Sequence, residues 1–114
     1  MKLLLFILAT ACLITTRTYW TIDPATFANS GSPHTHVSVT GYVAYTRCEG
    51  DGDIHIRIVP TQGATAPFFI AECVPAMQCA KPSLGAHVQV QGISRRDPEH
   101  QWWEIHPVER IDTL

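Results

Sequence analysis

A chain of 114 residues has room for one domain, and 46% hydrophobic with 16% charged residues suits a folded globule rather than a disordered segment. Its formal charge is −2, from 10 acidic and 8 basic side chains. That acidic balance lacks the positive footprint of a nucleic-acid binder and argues against nucleic acid as a partner.

The chain opens like a leader. Met1-Lys2 is a short charged start, Leu3 to Leu8 an apolar run, and Ala9-Thr10-Ala11 a small-x-small cleavage pattern. Residues 1–11 therefore read as a signal peptide, and the product as exported: periplasmic, secreted or membrane-anchored. Cys12 follows at once, so the same residues also fit a lipoprotein box with Cys12 as the lipidated first mature residue, although Ala9 stands where Leu is more usual. The apolar run ends near Ile14, short of the ~20 residues that span a bilayer, so a membrane is met only through the leader or that anchor. Cleavage before Cys12 removes Lys2 and leaves the remainder one unit more negative.

Residues 12–35 are small and polar, with Pro24, Gly31 and Pro33, and read as a tether to a domain over 36–114. Tyr19 and Trp20 are its exceptions. Val37 to Thr46 is the first strand. Val37, Val39, Val43 and Tyr45 share one face, Ser38, Thr40, Tyr42 and Thr46 the other, and Gly41 lets the strand coil. Cys48 to Asp53 is a glycine-rich turn. Asp53 to Val59 is the second strand, with Ile54, Ile56 and Ile58 inward and Asp53, His55 and Arg57 outward.

Phe68 to Val74 is the third strand, and Pro75 to Ala80 one helical turn with proline at its first position. His87 to Ile93 is the fourth strand, and Ser94 to Gln101 a charged turn. Trp102 to Ile111 is the fifth, bent at Pro107, with Trp103 and Ile105 on the core face and Trp102, Glu104 and His106 opposite. The fold class is thus all-β: a small five-stranded OB-fold-like barrel with at most one short helical turn between its third and fourth strands.

In that arrangement the last strand runs antiparallel to the later part of the first. Asp51, Asp53, His55, Glu72, His100, Glu104 and His106 then gather at one end. Asp53, His55, Glu72, Glu104 and His106 are the candidate metal ligands, because carboxylates with imidazoles suit a divalent transition metal and also serve proton transfer. A divalent metal is the one cofactor these residues suggest. The competing reading is a solvated strand face whose acids accept turn amides. Trp102, Arg57 and Arg95 are candidate ligand-binding residues: an indole to stack on a ring, and two guanidinium groups for anions. Cys73 and Cys79 enclose a short segment and form the favoured disulfide, while Cys48 keeps Cys48–Cys73 and Cys48–Cys79 open.

Three segments, Asp51-Gly-Asp53-Ile-His55, Ile70-Ala-Glu72-Cys73 and Glu104-Ile-His106-Pro107-Val108, resemble a family of small exported bacterial proteins of unknown function with an OB-like five-stranded barrel. The resemblance covers Val37 to Ile111. It implies that the acidic and histidine positions belong together, and it brings no activity.

Three functions remain. One is a non-enzymatic exported module that binds a small molecule, a metal ion or a partner protein through one end of the barrel. The second is a metal-dependent phosphodiester hydrolase using the Asp, His and Glu ligands. The third is a single-stranded nucleic-acid-binding domain using Trp102 and Tyr42.

Overall fold

Period-two alternation of apolar and polar side chains makes strands of this chain, and their pairing closes them on one another. The computed structural model describes residues 17–114. The expected signal peptide and the expected lipidation site Cys12 lie outside the described residues. The elements are β1 (Trp20–Ile22), α1 (Pro24–Ser30), β2 (His36–Cys48), β3 (Ile54–Val59), β4 (Phe69–Cys73), a 3-10 turn (Pro75–Met77), β5 (His87–Asp97) and β6 (Trp102–Thr113).

The five strands expected from the sequence are β2 to β6. β2 pairs antiparallel with β3, β3 with β4, and β6 with β5, while β4 and β6 run parallel. Pairing of β5 with β2, from His36↔Ile93 to Tyr42↔His87, closes the barrel. Within the barrel β2 therefore serves two neighbours, β5 along its first half and β3 along its second. Gly41 lies where they meet: a Cβ there would approach the Val59 carbonyl oxygen to 2.9 Å, tighter than side chains tolerate.

Val37, Val39, Val43, Ile56, Ile58, Val88, Val90, Ile105 and Val108 fill the interior, as the alternation requires. Burying each such side chain contributes about 1.5–3 kcal/mol.

Four features differ from the sequence reading. The expected fifth strand does not run beside the first; β6 lies between β4 and β5, parallel to the former. The charged turn is shorter, because β5 continues to Asp97. Tyr45 does not point inward. The register slips between Val43 and Tyr45, and this bulge at Ala44 turns Tyr45 to the outer face, paired with Arg57.

The last difference is the stretch read as a tether. Its described part is packed. Asp23 caps α1 by accepting from the Thr26 backbone N–H at 3.0 Å, and Pro24 follows in the first turn. Gly31 ends the helix at φ +64°, with the Trp103 ring where a side chain would sit. Phe27 is fully buried and meets Phe69 edge to face at 5.1 Å. α1 touches β2, β3, β4 and β6, and so closes one end of the barrel. β1 pairs parallel with β2, Trp20 opposite Val37. The helical turn expected after the third strand is the 3-10 turn Pro75–Met77.

Candidate functional site

Two neighbouring groups of side chains occupy the outer face of β3, β4 and β6. The first is built on Glu72. Antiparallel register puts His55 of β3 directly opposite Glu72 of β4, and the His55 Nε2 lies 2.9 Å from Glu72 Oε1. The parallel β4–β6 pairing brings in His106, whose Nδ1 lies 2.8 Å from Glu72 Oε2. Each oxygen of one carboxylate thus meets an imidazole from a different strand. Asp53, at the end of the β2–β3 turn, joins them. Donor atoms of Asp53, Glu72 and His106 all lie within 4.8 Å of one another.

Glu104, only 3% exposed, stands behind this group with its carboxylate 4.0 Å from the His106 Nδ1. Burial, then the neighbouring Glu72 and Asp97, push the Glu104 carboxyl up to about 7. A hydrogen bond with Glu72, burial and the charge of Asp51 raise Asp53. Burial opposes ionisation of Glu72 as well, but contacts with Asp53, His55 and His106 outweigh it and hold that carboxyl below its usual value. So one acid stays ionised while the two beside it retain protons more readily.

The second group forms a cleft of about 470 Å³ between the β2–β3 turn and the β5–β6 turn. The bulge in β2 delivers Tyr45 to it. The Arg57 guanidinium lies 4.3 Å from the centre of the Phe68 ring and 5.9 Å from that of Tyr45. Trp102, at the start of β6, meets Phe68 edge-on at 5.8 Å and stacks on His100 at 4.3 Å. Arg47 holds Glu49 through two contacts of 2.7 and 2.9 Å, and Glu49 reaches to 3.5 Å from the His55 Nδ1. His55 therefore touches both groups.

His100 is fixed by Asp97, whose carboxylate lies 2.8 Å from the His100 Nδ1 and also accepts the Glu99 backbone N–H. The contact with His100 holds Asp97 down at about 2, and in turn raises His100.

All five candidate metal ligands lie in the first group, while Trp102 and Arg57 stand in the cleft. Arg95 does not. Its Nη1 lies 3.3 Å from the His106 Nδ1, at the carboxylate–imidazole group. Tyr42 is also elsewhere, stacked on His87 at 4.5 Å; Tyr45 takes the position expected of it. Cys73 and Cys79 form the disulfide, and Cys48 is free and exposed. Phe68 is legible only as a strand start, Arg47 falls between the first strand and its turn with no role assigned, and the bulge hides Tyr45.

The barrel is OB-fold-like. No family model matches the chain, and neither does any curated protein. Solved structures do. Asparaginyl-tRNA synthetase from Pyrococcus horikoshii matches at a TM-score of 0.56 and 18% identity over 69% of this chain. This chain spans 19% of that synthetase's length. The S. pombe Stn1–Ten1 complex matches at 0.54 and 15%, covering 74% of this chain and 61% of that one. A small single-stranded DNA-binding protein from Streptomyces coelicolor matches at 0.52 and 20%, covering 73% of this chain and 95% of that one. Identities this low show a common fold alone.

The expectation that nucleic acid is no partner does not stand: a single-stranded DNA-binding protein shares this fold over 95% of its own length, so an acidic balance does not exclude such a partner. The physical reason lies in what net charge measures. A sum over the chain ignores position: Glu72 and Glu104 are buried, and the open cleft is lined by Arg47 and Arg57 as well as by Glu49 and Asp51, with Glu49 paired to Arg47.

Proposed function

We propose that this protein is a single-stranded nucleic-acid-binding OB module whose strand lies in the cleft beside Trp102. One observation carries this reading. The Arg57 guanidinium lies over the Tyr45 and Phe68 rings, and Trp102 meets Phe68 edge-on, between the two connections that OB barrels use for ligands. Unpaired bases need flat apolar surfaces, and their phosphates need cations; the cleft offers both within one base's reach. The match to a single-stranded DNA-binding protein, over 95% of that protein and 73% of this chain, supports the same reading. The leader-like start, Met1 to Ala11, supports placing this binding outside the cytoplasm.

The test is anisotropy of a labelled oligothymidylate, its ribonucleotide counterpart and a duplex of equal length, across about 50 to 200 mM salt. Both single strands should bind more tightly than the duplex and weaken as salt rises. Trp102→Ala should cost about 1–3 kcal/mol, the usual worth of one stacked base. Arg57→Ala should lower the salt slope by about one. Duplex binding equal to single-strand binding, or affinity unmoved by Trp102→Ala, would overturn the proposal.

A further inference from the structure

The Nδ1 of His106 has two close neighbours that make opposite demands. Glu72 Oε2 is 2.8 Å away and Arg95 Nη1 is 3.3 Å away. An in-plane ring nitrogen carries either one hydrogen or one lone pair. With a hydrogen it satisfies Glu72 and turns an N–H toward the N–H groups of Arg95. With a lone pair it accepts from Arg95 and faces the lone pairs of the Glu72 carboxylate. Neither form serves both neighbours. A cation between His106 and Glu72 removes the repulsion between their lone pairs, because both then donate to the same centre, and it requires the exposed Arg95 guanidinium to swing away from Nδ1.

We propose that Asp53, Glu72 and His106 bind one first-row divalent cation. Their donor atoms lie within 4.8 Å of one another, a span that closes onto one ion with bonds of roughly 2.0–2.2 Å after small side-chain movements. The three come from the β2–β3 turn, β4 and β6, so the closed barrel holds them in place before any ion arrives. Two residues hold the ligands. His55 fixes the second oxygen of Glu72 at 2.9 Å, and buried Glu104 backs His106. Two carboxylates and an imidazole are the donor set of Zn²⁺, Mn²⁺ or Fe²⁺; Ca²⁺ and Mg²⁺ favour oxygen alone. Burying Glu72 and Glu104 together costs free energy that a divalent ion offsets. A second trio, Asp97, Glu99 and His100, also lies within ligand reach, but it falls within one exposed turn whose amides already occupy Asp97.

Zn²⁺ and Mn²⁺ should be titrated separately, by calorimetry, into the chelator-treated full chain without oligonucleotide, so that the outcome is independent of the nucleic-acid reading. One ion per chain should bind. Glu72→Gln and His106→Ala should each weaken binding by at least about 100-fold, and His55→Ala by about 10-fold, as loss of a ligand's holder does. Asp53→Asn lies at a turn and leaves the interior intact; it should also abolish stoichiometric binding. An Asp97→Asn/His100→Ala double variant should bind as the parent does. A folded chain that takes up neither ion overturns the proposal. So does binding that survives Asp53→Asn but disappears in the Asp97/His100 double variant.

Discussion

Trp102 is held from one side by His100, and the Asp97–His100 pair makes that support depend on pH. Asp97 is held near 2 against an ordinary 3.8, so its contribution is present above 3.8 and lost as pH falls toward 2. His100 is raised from an ordinary 6.5, so its contribution is present below 6.5 and lost as pH rises through the higher folded value. The turn is therefore most tightly held between 3.8 and 6.5. A charged imidazole stacked on an indole quenches its emission. Trp102 fluorescence should rise with a midpoint above 6.5, and this step should vanish in His100→Ala. A midpoint at or below 6.5 would show that Asp97 and His100 do not interact in solution. At this scale the sequence was informative about identity but not about contact. Asp53/His55 and Glu104/His106 are visible as x-spaced pairs on strand faces. Their gathering with Glu72 at one end is expected from the strand order, but the route differs: His55 meets Glu72 through the antiparallel β3–β4 pairing, while His106 arrives through a parallel β4–β6 pairing that the alternation does not reveal.

The elements divide in the same way. Alternating valines and isoleucines announce β2, β3 and β5, since period-two burial needs only local reading. The bulge at Ala44 leaves no such mark. It is one residue that opposes nothing, and it reverses the face of Tyr45, which counting by twos assigns to the interior. α1 was hidden for another reason. Among Pro24 to Ser30 only Phe27 is buried, so a seven-residue helix carries no apolar stripe to recognise. That single ring makes a testable point: Phe27→Ala should cost about 3–5 kcal/mol, measured by chemical denaturation, because its cavity faces Phe69 and the barrel end. A loss under 1 kcal/mol would mean that α1 is a loose flap on an independently stable barrel.

For the molecule as a whole, closure through β2 and β5 leaves one stretch of backbone to be covered. The first half of β2 pairs with β5 on one side, while β3 reaches only its second half. β1 occupies the remaining side opposite Val37 to Val39, and Trp20 stacks on His34 at 4.0 Å to hold it there. A chain shortened to begin at Asp23 would bare that row of amides and carbonyls. Unprotected rims of this kind recruit strands from other molecules. Light scattering should then report concentration-dependent self-association in the shortened chain, while the intact one stays dispersed. Three residues of ribbon thus act as a bumper, keeping an otherwise adhesive seam from fastening to its neighbours.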